Sequence, residues 1–309
     1  MEGLVCKSIY KTYDGRTRAL SNISFSLPDK GIFAMIGRNG AGKTTLVRIL
    51  STELLPTKGS AAIKGIDVVK DAKAVRDMIA IVPQEARAIP WLTPRQTIIS
   101  YLLYRGMGYS ESSKRADAAL KKLGIQKFSN KLNRLLSGGT KRKVLVATVL
   151  ASEAKVIFLD EPTTGLDPIS RNDLWNLLKE LKKDYLIFLT THYLEEAEKL
   201  ADKIGVIEKG RLIAMGTMEE LRSKVEHQYS IRILENSNPI KTRKGVTVKG
   251  IDGSYQILTS ESDAFEIARE LIKKKIKFST NPVSLEDIFY YLVRKPIDED
   301  AAGEEDGRR

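Results

Sequence analysis

The segment GRNGAGKTT at residues 37–45 follows the apolar run GIFAMI and opens into TTLVRIL, so a glycine-rich turn joins a buried strand to a helix. That is the context a P-loop requires. Gly37, Gly40 and Gly42 let the backbone from Gly37 through Arg38, Asn39 and Ala41 to Thr45 wrap a phosphate chain with its N–H groups inward. The N-terminus of the following helix adds a positive dipole end. Lys43 is placed to reach the β- and γ-phosphates of a nucleotide, and Thr44 to offer its hydroxyl to Mg2+.

Downstream, VIFLDEP at 156–162 sets two carboxylates, Asp160 and Glu161, at the end of a second buried strand. Two adjacent acids after five apolar residues are costly to bury unless a cation or a donor balances them. Asp160 suits the organisation of a metal ion, and Glu161 reaches a water attacking the γ-phosphate. Further buried strands are expected at 79–84 (IAIVPQ) and 186–191 (LIFLTT). Helices are expected over 93–105, 112–124, 138–152, 168–183 and 193–201, with Gly124 ending one and Asp167-Pro168 starting another. Alternating buried strands and helices imply an α/β fold whose mostly parallel sheet is covered on both faces. Near residue 225 the pattern turns to short antiparallel strands (SIRILE, GVTVKG, SYQILT) with the helices DAFEIARELIKK and SLEDIFYYLVR, a small α+β domain. In the last of these, Leu285, Ile288, Phe289 and Leu292 form one apolar face, read as packing on the domain's own sheet. The expected domains are therefore 1–225, 226–295 and an acidic, apolar-poor tail at 296–309 that is expected to be disordered.

Composition narrows the classes. The chain has 309 residues, is 42% hydrophobic, and has no apolar run near the roughly 20 residues that span a bilayer. Its start, MEGLVCKSIY, lacks the basic and long apolar regions of a signal peptide. Cys6 is the sole cysteine, which excludes an internal disulfide and a cysteine-based metal cluster and suits a reducing cytoplasm. The net charge of +12 is read as a lysine-rich solvated surface, because the basic and aromatic pattern of nucleic-acid modules is missing.

With these strings in order, residues 1–220 resemble the ABC ATPase family, whose signature motif corresponds to LSGGT at 136–140. Taken alone, SGG is a turn before a helix; between the P-loop and VIFLDEP it marks the family. The resemblance implies a P-loop NTPase core: a mixed, mostly parallel sheet with antiparallel N-terminal strands and a helical subdomain at about 94–134. It also implies that Ser137, Gly138 and Gly139 bind the γ-phosphate of ATP held by an opposing subunit, with Thr140 where the family commonly has glutamine. By the same resemblance Tyr13 stacks on adenine, and Gln84 touches Mg2+ and the attacking water. GLDP at 165–168 crosses the dimer interface, and His192 contacts the γ-phosphate.

The implied activity is Mg2+-dependent ATP hydrolysis, with Glu161, His192, Gln84 and Lys43 catalytic and Thr44, Gln84 and Asp160 at the metal. The implied partners are a second ATPase subunit and a transmembrane permease subunit, at the cytoplasmic face of the cell membrane. The KRK after LSGGT and the C-terminal domain resemble exporter-type relatives of the ABC-2 group. The competing class is a soluble ABC ATPase acting on nucleic acid or ribosomes. Such proteins carry a long coiled coil or two cassettes per chain, and neither pattern is present. A degenerate module without turnover is disfavoured by Lys43, Glu161 and His192.

Overall fold

Strands apolar along their whole length are buried on both faces and pair best in parallel beneath helices. The computed structural model describes residues 2–225, 227–233, 246–249 and 255–294, in two compact units, Met1–Ile213 and Ala214–Arg309. The first unit opens with strands β1 (Glu2–Tyr13), β2 (Thr17–Pro28) and β3 (Gly31–Ile36), then helix α1 (Lys43–Leu50). Next come β4 (Lys58–Ile63), β5 (Ile66–Asp67), α2 (Ala72–Met78) and β6 (Ile79–Val82). The helical segment holds α3 (Pro94–Tyr104), α4 (Tyr109–Lys122) and α5 (Gly138–Ala151). The unit continues through β7 (Val156–Asp160), α6 (Pro168–Leu181), β8 (Leu186–Thr191), α7 (Leu194–Leu200) and β9 (Lys203–Glu208) into β10 (Arg211–Gly216).

One sheet has the order β2-β1-β4-β5 with antiparallel pairing; the other has the order β10-β9-β3-β8-β7-β6, with parallel pairing from β9 to β6. Phe25 of β2 stacks on Phe33 of β3 at 5.5 Å, and Phe33 and Phe158 both pack on Phe188, at 5.0 and 5.6 Å. This aromatic group binds the antiparallel sheet to the parallel one.

Register decides where chemistry can happen. Ile36 lies opposite Thr191, Asp160 opposite Thr190, and Val82 opposite Leu159. The carboxyl ends of β3, β8, β7 and β6 therefore align along one sheet edge, across three strand spacings or about 14 Å. Open α/β sheets bind ligands at that edge.

Helix α3 starts with a capping box, Thr93 and Gln96, with Pro94 at its first position. Arg95 donates to both carboxylate oxygens of Asp117, at 2.8 and 3.1 Å, fastening α3 to α4. Helices α2 and the β9–β10 pair have no counterpart among the sequence expectations. The first is only seven residues long, and the second turns at Lys209-Gly210, both with positive φ.

The second unit contains α8 (Met218–Ser223), β11 (Tyr229–Ile233), β12 (Val246–Lys249), β13 (Tyr255–Thr259), α9 (Glu261–Lys273), β14 (Phe278–Pro282) and α10 (Leu285–Arg294). Its sheet, β12-β13-β11-β14, is antiparallel, and Ile231, Ile233 and Ile257 pack against Ala264, Ile267 and Leu271 of α9. The unit begins before the pattern change near residue 225 because α8 belongs to it: Arg222 donates to the Val283 carbonyl at 2.9 Å. On α10, Leu285, Ile288 and Phe289 are buried. The acidic segment 296–309 lies outside the described residues.

Candidate nucleotide site

The phosphate loop, the acidic pair, Gln84 and His192 sit at or just beyond the four aligned strand ends, whereas Tyr13 ends β1 and Ser137–Gly139 open α5. After β3, the loop at 37–42 turns sharply into α1. Gly42 has φ +108°, and a side chain there would put its Cβ 2.7 Å from the Ala19 carbonyl and 2.8 Å from Leu20 Cδ2. The loop therefore lies directly against β2. Gly42→Ala is expected to cost about 2 kcal/mol or more in urea unfolding, since backbone strain and a backbone clash add. It should weaken nucleotide binding in parallel.

Lys43 is buried at the start of α1, and its Nζ donates to the carbonyls of Gly37 at 2.8 Å and Arg38 at 3.2 Å. Burial lowers its pKa, while the nearby Glu161 and Asp160 carboxylates oppose that fall. The ammonium thus lies between the phosphate loop and the acidic pair. Arg38, Asn39, Gly40 and Thr44 are exposed, leaving loop and hydroxyl accessible. Tyr13 brings its hydroxyl to 3.5 Å from Thr45 Oγ1, and Lys11 Nζ lies over its ring at 5.3 Å from the centroid.

At the end of β7, Asp160 is 3% and Glu161 8% exposed. Thr190 of β8 donates its hydroxyl to Asp160 Oδ1 and also accepts from the Glu161 N–H at 3.2 Å. Glu161 has φ +48°, a left-handed conformation that is strained for a non-glycine residue. Both of its carboxylate oxygens are held. Gln84 Nε2, just beyond β6, donates to Oε2 at 2.9 Å, and Thr164 donates to Oε2 at 3.1 Å. His192 Nδ1, just beyond β8, is 3.1 Å from Oε1. Gln84, Glu161 and His192 are thus gathered into one group from three neighbouring strands, by a hydrogen bond from Gln84 and a close His192–Glu161 contact.

The strained turn is clamped from behind by Arg142 of α5. Its Nε donates to the Pro162 carbonyl at 2.7 Å, and Nη2 to the carbonyls of Asp160 and Glu161 at 3.3 Å. Burial, then repulsion from Arg87, lowers its pKa to about 10. Sequence reasoning passed over Arg142, although helical spacing aligns it with Val146 and Val149 on the buried face, where a charge needs partners. It also passed over Thr190 and Thr164, for which no local signal exists.

Ser137 caps α5, its Oγ accepting from the Thr140 N–H at 3.2 Å, and the two hydroxyls are 2.9 Å apart. Ser137 and Gly138 are exposed, and among the described residues the hydrogen bonds of this segment stay at the helix's own start. Gly139 is packed so closely on α6 that an added Cβ would lie 2.3 Å from Ser170 Oγ. Ser170 in turn donates to Asp167 Oδ2 at 2.6 Å, while Asp167 Oδ1 caps α6 by accepting from the Ile169 and Ser170 N–H groups. The signature segment therefore adjoins the GLDP loop, with Ser137 and Gly138 exposed at its head. Between Gln84–Pro90, the start of α5 and residues 164–166 lies a groove of about 660 Å³ edged by Arg87, Arg134, Lys141 and Arg142.

Comparison with known proteins gives the family. The family described as ABC transporter matches residues 20–164. The daunorubicin/doxorubicin resistance ATP-binding protein DrrA of Streptomyces peucetius is 32% identical over 316 residues, covering 96% of this chain and 95% of DrrA. ABC transporter A family member 7 of Dictyostelium discoideum is 34% identical over 304 residues, 93% of this chain but 36% of the relative, so the chain spans about a third of that longer protein. Among solved structures, the ATP-binding cassette MJ0796, a dimer in a post-hydrolysis state bound to ADP and Pi, matches with a TM-score of 0.62 and 27% identity. That match covers 70% of this chain and 98% of the cassette.

Proposed function

The chain belongs to the ABC transporter family, and on that premise we propose that it powers a separate membrane permease of the exporter kind by hydrolysing ATP between two copies of itself. The observation that carries this reading is the held carboxylate: Glu161, fixed at both oxygens by Gln84, Thr164 and His192, beside the ammonium of Lys43. Lys43 and the loop amides neutralise charge that grows on the phosphates, and Glu161 draws the proton from an in-line water. His192 and Gln84 orient that water and the γ-phosphate. Tyr13 provides the adenine platform.

Mg2+ fits the donors present. Thr44 offers an exposed hydroxyl, Asp160 a carboxylate and Gln84 an amide oxygen, an all-oxygen set suited to a hard cation. Among the described residues no group of three or more His, Cys, Asp or Glu could hold a metal ion, so on this reading the nucleotide's phosphates complete the coordination. When bound, the ion supplies positive charge to the phosphate oxygens. Excess EDTA is expected to reduce turnover at saturating ATP by about 100-fold or more, restored by added Mg2+.

The chain carries both halves of the site, a P-loop with its acidic strand and an outward-facing LSGGT. Two copies in head-to-tail contact therefore complete two sites, with C2 symmetry. No described helix is long and apolar enough to cross a membrane, so transport on this reading needs a spanning partner. The basic groove beside Gln84, next to the helical segment, suits an acidic cytoplasmic segment of that permease. The chain would then act at the cytoplasmic face of the membrane. Resistance to a drug, the role in DrrA's name, favours export. Affinity purification from detergent-solubilised membranes tests this: a multi-span protein should accompany the chain and stimulate its ATPase. Salt-sensitive stimulation by nucleic acid, without such a partner, would favour the soluble class instead.

A further inference from the structure

Behind the hydrolytic group lies a buried acid that the chemistry above does not use. Glu196, on α7, is 0% exposed. Its Oε1 accepts from Trp175 Nε1 of α6 at 3.1 Å. Among the described residues no well-formed hydrogen bond reaches its Oε2, Thr163 Oγ1 or Arg171 Nε, although the Thr191 and Thr163 hydroxyls lie near enough to the carboxylate to favour its charged form. Such groups are expensive to bury, and an apolar residue would generally fill the place more stably. Stability alone gives no reason for a carboxylate at this place, so its role lies elsewhere.

The surroundings identify that role. Burial raises the pKa of Glu196, opposed by Thr191, Trp175 and Thr163 and by the charge of Arg171. These neighbours come from three segments: the end of β8 just before His192, the loop following Glu161 and Pro162, and α6, whose cap is Asp167. The backbone ties are equally direct. Glu196 N–H donates to the Tyr193 carbonyl at 3.1 Å, and Tyr193 N–H donates to Thr191 Oγ1 at 2.9 Å, so the turn bearing His192 is fastened to the start of α7. The Arg171 guanidinium lies 4.7 Å from the Tyr193 ring centroid, and the Tyr193 and His192 rings are 4.1 Å apart. The carboxylate also acts on Arg142, which clamps the carbonyls of residues 160–162.

We propose that Glu196 is a positioning residue of the hydrolytic site: with Trp175 it fixes the turn that holds His192 against Glu161 and ties that turn to the loop leading to Asp167. It acts through His192 and touches neither ATP nor water. The proposal rests on the hydrolytic role assigned to His192, and its test separates the two.

Steady-state and single-turnover ATPase kinetics are measured on the full chain for Glu196→Met, Glu196→Gln, Trp175→Phe and His192→Ala, and for Glu196→Met combined with His192→Ala. Glu196→Met is expected to lower kcat about 10-fold or more with KM for ATP changed less than about twofold, because the P-loop is untouched. Glu196→Gln keeps an acceptor for Trp175 and should remain within about threefold of wild type. Trp175→Phe removes the donor along with part of the ring, and should lower kcat in the same direction if Glu196→Met fails to fold. Added to His192→Ala, Glu196→Met should cost less than about twofold more, as residues acting in one unit are not additive. A full, multiplicative loss in the His192→Ala background, or a rise in KM matching the fall in kcat, overturns the proposal. If His192→Ala alone leaves kcat unchanged, the role given to His192 fails first, and the proposal with it.

Discussion

Replacing Glu161 by Gln is expected to reduce ATP turnover about 1000-fold or more while nucleotide binding stays near wild type. The substitution keeps size and shape but removes the proton acceptor, and general-base catalysis is worth roughly 10²–10⁴ in rate. It also breaks the donor pattern. Gln84 and Thr164 both donate to Oε2, so an amide NH2 in that position faces two donors. The P-loop contacts of Lys43 are with Gly37 and Arg38 and do not involve this group directly. Steady-state ATPase assays together with titration of a fluorescent ATP analogue separate the two effects. Turnover within tenfold of wild type would remove Glu161 from the role of base.

The second large effect is expected at Lys43. In Lys43→Ala the carbonyls of Gly37 and Arg38 lose their donor, and the phosphate loop loses its buried positive charge. The loop then presents acceptors where phosphate oxygens must lie. An electrostatic donor aimed at developing charge is worth about 3–4 kcal/mol, so single-turnover hydrolysis should fall about 100- to 1000-fold. Calorimetric titration should show ATP weakened more than ADP, since Lys43 serves the terminal phosphates. Equal weakening of both would place the lysine at the α-phosphate end or in loop stability alone.

Much of this site was readable because its parts are local. GRNGAGKTT carries its own turn and helix start, and VIFLD and LIFLTT are too apolar to lie anywhere but inside a sheet. Gly124, Asp167 and Pro168 punctuate helices through bonds to adjacent residues. What could not be read joins residues distant in the chain. Arg142 binds carbonyls 18 to 20 positions away, Thr190 reaches Asp160 across a strand pair, and Glu196 meets Trp175 from another helix. The strain at Glu161 is likewise absent from composition, since a glutamate with φ +48° is held there by its surroundings. Short elements such as α2 and α8 have too few residues to show a period. Helix α8 packs on α10 in the second unit, with Arg222 reaching the Val283 carbonyl, a link between residues 61 positions apart.

The Thr140 hydroxyl, where the family commonly has a longer amide, closes on Ser137 at 2.9 Å. Ser137 and Gly138 are exposed at the head of α5.

The central claim is that two copies complete two ATP sites, and sedimentation equilibrium of the Glu161→Gln chain with Mg-ATP tests it most directly. Two-chain particles holding two ATP molecules, returning to single chains when Gly138→Asp is added to block the signature segment, are the predicted result. Single chains that each bind ATP at saturation, at every protein concentration, would contradict it.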